Sequence, residues 1–173
     1  MLCIPPNISS LTQLRRLLVA METYNDDALD VSWTYGLTSL HSLDLHIEGE
    51  VTFSQDLTQL QQLTMLTVDA TSWYGSIPDI PRMARFEVNW KAMHNLQHIV
   101  LSGHMIFLDN IEEISLLKDL SLVSITEFEP GDCQTAVHLA RLAYSLAAHK
   151  PQVQFTVKSC VVPVFSTPSS ASD

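Results

Sequence analysis

Glycine is scarce in this chain, five residues in 173 and none of them grouped. That rules out a glycine-rich loop of the kind that wraps a phosphate in successive backbone N–H groups. No Gly-x-Ser-x-Gly occurs to strain a serine into a nucleophile. Cysteine is as sparse. Cys3, Cys133 and Cys160 are odd in number and stand at unrelated spacings, the pattern of reduced thiols in a cytoplasmic protein rather than of a disulfide scaffold. Basic residues number 9 against 19 acidic ones, a formal net charge of −10. This works against capture of nucleic acid or of an anionic membrane surface and favours a neutral or basic partner. Long apolar runs are missing too: polar residues interrupt every apolar stretch, and Met1-Leu2-Cys3-Ile4-Pro5-Pro6 carries no basic segment. Neither a signal peptide nor a membrane span is expected. Asn7-Ile8-Ser9 has the form of a glycosylation acceptor but needs a secretory route that the sequence does not display.

Leucine is abundant, and it is ordered. Leu-x-x-Leu-x-x-Leu recurs from Leu11 to Leu17, from Leu37 to Leu43 and from Leu57 to Leu63, with starts 26 and 20 residues apart and Leu-Thr opening each phrase. Repeats at such distances take precedence over local motifs. Each phrase runs on into alternation, as in Leu43-Asp44-Leu45, and a period changing from three to two marks a turn entering a strand. Met93-x-x-Leu96-x-x-Ile99-x-Leu101 and Ile114-x-x-Leu117-x-x-Leu120-x-x-Val123-x-Ile125 fit the same template. The last inward strand residues are then Val19, Leu45, Val68, Leu101 and Ile125, at steps of 26, 23, 33 and 24 residues. The 33-residue step is too long for one turn. It contains Ile80-x-x-Met83-x-x-Phe86-x-Val88, so an oversized turn or an irregular extra strand is expected within 73–92. A helix is predicted over 133–149 with Val137, Leu139, Leu142, Ala143 and Leu146 on its apolar face and Asp132 as N-cap. A last strand follows over 153–157, with Val157 as its marker, and a Ser/Pro-rich tail over 161–173 reads as disordered.

Ile4-Pro5-Pro6-Asn7-Ile8-Ser9-Ser10-Leu11-Thr12-Gln13-Leu14 and the phrases after it resemble the plant-type leucine-rich-repeat family over residues 4 to about 157. The resemblance implies an α/β solenoid filling 1–160: a right-handed horseshoe arc of about six turns, with a concave parallel β-sheet and short helices or loops on the convex side. One departure is specific. The asparagine that the family places three residues after the strand's last leucine falls here at Glu22, Glu48, Thr71, His104 and Phe128, so its continuous ladder should be missing and the turns irregular. A start almost at once inside a repeat, without a polar capping unit, is what a piece of a longer protein or a poorly capped first turn would give.

Family members bind other molecules, usually proteins, through strand side chains that point away from the leucine core. Alternation puts Leu18, Ala20, Asp44, His46, Thr67, Asp69, Val100, Ser102, Ser124, Thr126, Thr156 and Lys158 on that face. The expected binding residues are Asp44, His46, Thr67, Asp69, Ser102, Ser124 and Thr126, and the expected partner is a protein bound by a monomer. A recognition arm of a larger receptor or ubiquitin-ligase adaptor is the alternative. A metal-dependent hydrolase is disfavoured. His94 and His98 have His-x-x-x-His spacing, but Asn95 stands where a metalloprotease needs glutamate, and Leu96 and Ile99 already claim the core positions. Asp26-Asp27 and Glu112-Glu113 are adjacent pairs that cannot face across a cleft. No catalytic residue, metal or cofactor is expected. Trp33, Trp73, Trp90 and Tyr74 could anchor an interface, Trp90 most directly if Phe86 and Val88 lie in a strand beside the concave face.

Overall fold

A three-residue leucine period is the period of a 3₁₀ turn, in which side chains at i and i+3 eclipse on one face. The backbone bonds follow it. Leu14 N–H donates to Leu11 C=O at 2.9 Å, Leu40 to Leu37 at 2.9 Å, Leu63 to Leu60 at 2.9 Å, Leu96 to Met93 at 3.0 Å and Leu117 to Ile114 at 3.0 Å. Each leucine phrase is thus a tight turn that drops its leucines on one side and then straightens. The computed structural model describes residues 8–22, 29–70, 83–103, 105–130 and 133–159.

Within them lie β1 (Arg16–Glu22), β2 (Leu29–Asp30), β3 (Ser42–Glu48), β4 (Val51–Phe53), β5 (Met65–Ala70), β6 (Met83–Phe86), β7 (His98–Gly103), β8 (Met105–Leu108), β9 (Leu122–Pro130), helix α1 (Cys133–His149) and β10 (Gln154–Ser159). The fold is α/β with few helices. Its main element is a parallel sheet of six strands in the order β1-β3-β5-β7-β9-β10. The marker residues stand side by side: Val19 pairs with Leu45, Leu45 with Val68, Val68 with Leu101, Leu101 with Ile125 and Ile125 with Val157.

A bond series fixes that register at the start of each strand. Arg15 C=O accepts from both His41 and Ser42 N–H, His41 C=O from Thr64 and Met65, Thr64 C=O from Gln97 and His98, and Gln97 C=O from Ser121 and Leu122. The hydroxyls of Thr64 and Ser121 add bonds to the carbonyls of His41 and Gln97, at 2.9 and 3.4 Å. Of the positions where the family asparagine is missing, Thr71 and His104 lie outside the described residues. At Phe128 no turn forms, because β9 simply continues to Pro130.

The chain holds a second parallel ladder that the sequence reading did not foresee. The short strands β2, β4, β6 and β8 pair in that order, and the end of β9 closes the series through Met105 with Glu129 and Ile106 with Pro130. β6 belongs to this second ladder and not to the main sheet, and each step from β1 to β9 carries one such strand; the added length of the 33-residue step falls in 71–82, between β5 and β6 and outside the described residues. Between the ladders lies one core, filled from the main sheet by Leu43, Leu45, Leu66, Val68, Ile99, Leu101, Val123 and Ile125 and from the other side by Val51, Phe53, Ala84, Phe86, Ile106 and Leu108. Phe53 and Phe86 are stacked, with ring centroids 4.7 Å apart and planes 7° apart.

Trp90 corrects the expectation that it would flank the binding face. Val88 lies beyond the end of β6, and the Trp90 ring is 0% exposed, 5.7 Å from the Phe86 ring, with Nε1 donating to Asp109 C=O at 3.1 Å. Trp33 is partly buried against the same core; Trp73 and Tyr74 lie outside the described residues.

Helix α1 spans the predicted 133–149, and its buried face keeps Leu139, Leu142 and Leu146 of the expected one but extends to Thr135 and His138 in place of Val137. Thr135, His138, Leu139, Leu142 and Leu146 are buried, and Val137 is exposed. Polar contacts set this rotation. Thr135 Oγ1 accepts from Leu108 N–H at 3.3 Å, His138 Nδ1 lies 2.7 Å from Glu112 Oε2, Ser145 Oγ donates to Ser115 Oγ at 3.0 Å, and Lys150 Nζ reaches Leu117 C=O. An all-apolar face would have left Glu112 and the Leu108 N–H without these partners. Asp132, the expected N-cap, and the tail over 161–173 lie outside the described residues.

Two stability outcomes follow. Trp90→Ala should cost about 3–5 kcal/mol in urea unfolding, the usual result for emptying a buried tryptophan site. Gly49 has φ 134°, a region that L side chains rarely adopt, so Gly49→Ala should cost about 1–3 kcal/mol in the same measurement.

Candidate functional site

In β3, buried Leu43, Leu45 and Ile47 alternate with half-buried Ser42, Asp44, His46 and Glu48. β5 and β7 alternate in the same way, so the main sheet has one core face and one open face. The parallel register turns the open-face residues into straight rows. One row runs Leu18, Asp44, Thr67, Val100, Ser124 and Thr156, and the next runs Ala20, His46, Asp69, Ser102, Thr126 and Lys158. All seven expected binding residues stand in these two rows: Asp44, Thr67 and Ser124 in the first, His46, Asp69, Ser102 and Thr126 in the second. With neighbouring strands about 4.8 Å apart, the face is roughly 25 Å wide.

At the β3–β5 side, the His46 ring lies between two carboxylates. Nδ1 is 3.3 Å from Asp69 Oδ2, and Nε2 is 3.3 Å from Asp44 Oδ1. The two contacts are not equivalent. The Asp69 contact is a hydrogen bond, whereas the buried Asp44 Oδ1 makes none despite its distance. Next to Asp44 in the row, Thr67 Oγ1 is also buried without a hydrogen-bond partner among the described residues. Two and three strands away from β3, Ser102 and Thr126 share a hydroxyl–hydroxyl bond of 2.7 Å across β7 and β9. Ser124 and Thr156 flank it in the other row.

The sequence reading stopped one row short. Two positions before the first row, the register aligns Arg16, Ser42, Met65, His98, Leu122 and Gln154. The same two-residue alternation points to this row, but the leucine phrases overlap it, so turn and strand were indistinguishable there. Met65 and Leu122 flank His98 in this row and Val100 follows His98 by two residues, so three half-buried apolar side chains border His98 on β5, β7 and β9.

His94 and His98 are not a ligand pair. His94 sits exposed in a turn, His98 opens β7, and Leu96 and Ile99 between and beside them are buried. Asn95 instead donates from Nδ2 to Gln61 C=O at 2.7 Å, joining two successive turns. Glu112 and Glu113 diverge, Glu112 to His138 and Glu113 to Lys91 at 3.4 Å. Asp26-Asp27 lies outside the described residues. An open groove of about 440 Å³ follows the ends of β4, β6 and β8 and is lined by Gln55, Glu87, Asn89, Lys91, Asp109 and Glu113 among others. Among the described residues, no group of three or more His, Cys, Asp or Glu side chains could hold a metal ion, and no helix is long and apolar enough to cross a membrane.

The Ser102–Thr126 bond is the most direct check of the two-row geometry. A double-mutant cycle of Ser102→Ala and Thr126→Val, read by urea unfolding, should give a coupling of about 0.5–1.5 kcal/mol, the net worth of one hydrogen bond; zero coupling would separate the two side chains.

No protein-family model matches the chain, and no curated protein matches it.

Proposed function

We propose that the chain is a protein-recognition module of the leucine-rich-repeat kind, a horseshoe-shaped solenoid of about six turns that binds a protein ligand on its open sheet face without turnover. The observation that carries this reading is the register. Five strand-to-strand steps of unequal length, 26, 23, 33, 24 and 32 residues, all bring the marker residue back to the same height, so the side chains between the markers stand in rows. Such rows suit binding because their backbone is already ordered, and a partner that docks on them does not bear the entropy of arranging them. The 3₁₀ leucine turns and the core shared by two ladders also fit a stack of like units, each too small to close a core alone.

Asp44, His46, Thr67, Asp69, Ser102, Ser124 and Thr126 are the contact residues of this reading. Half-buried hydroxyls beside a carboxylate pair fit recognition better than catalysis. His46 is the one imidazole within hydrogen-bond reach of an open-face carboxylate among the described residues, and Ser102, the serine in its row, lies beyond Asp69 on the next strand but one. A histidine separated from the serine by the acid cannot take the serine's proton.

The experiment is a pull-down from native extract with the intact chain and with a variant carrying Asp44→Lys, His46→Glu, Asp69→Lys and Thr126→Lys, both checked for fold by circular dichroism. A partner retained by the intact chain and lost from the variant is the expected result. Equal capture by both would remove the open face from consideration.

A further inference from the structure

Resting on the reading that the open face is the binding surface, we infer that the segment it takes is basic and carries an apolar side chain about two residues from its cation. The argument begins with charge. Asp44, His46 and Asp69 form a contiguous trio on β3 and β5. With a neutral imidazole the trio carries two negative charges; with a protonated one it still carries one. Asp44 Oδ1 lies 3.3 Å from His46 Nε2 yet makes no hydrogen bond among the described residues. Glu48 stands two residues beyond His46 on the same strand and face. Among the described residues, the Lys and Arg side chains of the face are at its margins, Arg16 on edge strand β1 and Lys158 on edge strand β10. The β3–β5 side is therefore anionic in every protonation state, and a Lys or Arg of the partner is its complement.

The second part is position. Val100 on β7 is half-buried and apolar, and Met65 on β5 and Leu122 on β9 lie diagonally to it, on either side of His98 in the neighbouring row. From the middle of the carboxylate trio to Val100 is about one and a half strand spacings, roughly 7 Å. An extended peptide crossing the strands repeats its side chains on one side every two residues, also roughly 7 Å. A cation over Asp44 and Asp69 thus puts the residue two places along over Val100. Beyond it, Ser102, Ser124 and Thr126 offer hydroxyls to the peptide backbone. An apolar centre with polar residues around it is the anatomy of a protein interface.

The test uses three labelled synthetic 12-residue peptides, of repeating sequence Arg-Ser-Leu-Ser, Glu-Ser-Leu-Ser and Arg-Ser-Ser-Ser, titrated with the intact chain and read by fluorescence anisotropy. The Arg/Leu peptide should bind saturably, at least tenfold more tightly than either of the others, and weaken as salt is raised. Asp44→Asn with Asp69→Asn should remove most of its advantage over the Glu/Leu peptide. Val100→Ser should remove its advantage over the Arg/Ser peptide; circular dichroism checks the fold of each variant. Equal binding of the Glu/Leu peptide, no effect of the Asn pair, or no saturable binding of the Arg/Leu peptide overturns the inference. If the extract partner is still lost from the fourfold Lys/Glu variant, only the ligand chemistry has failed; if that variant keeps its partner, the open-face reading has failed with it.

Discussion

Parallel strands cannot be joined by a tight hairpin, and each of the six here is reached by a crossover that must return to the same height. A one-residue error would turn the leucines out to solvent and the polar side chains into the core. The carbonyls of Arg15, His41, Thr64 and Gln97 prevent it. Each holds two N–H groups at the start of the next strand, and Ser121 C=O holds the Gln154 N–H of β10, so each strand after the first begins where its predecessor did, whatever the length of chain between. Both the core and the rows on the open face inherit their order from that bond series.

The strand positions were legible because burial on one side leaves a period of two and the 3₁₀ turns leave a period of three, and the two follow each other in every phrase. The markers Val19, Leu45, Val68, Leu101, Ile125 and Val157 could therefore be read directly and fall in one row. The second ladder was not legible. Its strands are two to four residues long, and two of its inward positions, Ala84 and Phe86, are separated by Arg85 in a segment rich in proline on its N-terminal side. A three-residue strand offers too little alternation to stand out from a loop. The place of Trp90 was left open for the same reason: without the second ladder nothing in the sequence provided an inner wall for its ring.

Helix α1 shows another limit of pattern reading. Its length was clear from 133 to 149 and so was its leucine seam of Leu139, Leu142 and Leu146, yet counting apolar residues included exposed Val137 and passed over buried Thr135 and His138. What rotates the helix is the need to satisfy Glu112 and the Leu108 amide, and these partners lie 26 and 27 residues away in sequence. On the open face the residues were identified by alternation alone. Their relations, with His46 bridging Asp44 and Asp69 and Ser102 bonded to Thr126, come from strands 23 and 24 residues apart and carry no local signal.

The nine-residue strand β9 belongs to both ladders. Its first half is held between β7 and β10, and its end pairs with β8. At the opposite margin, β1 has one paired neighbour, Val19 and Leu17 are incompletely covered, and Leu18 is 66% exposed. Amide exchange in the folded chain should therefore be graded, fast at β1 and slowest at β9, with openings that begin at the first strand and stop where the two ladders share a backbone. The stack has a soft end and a clamped end, and the Asp44–His46–Asp69 trio sits next to the soft one.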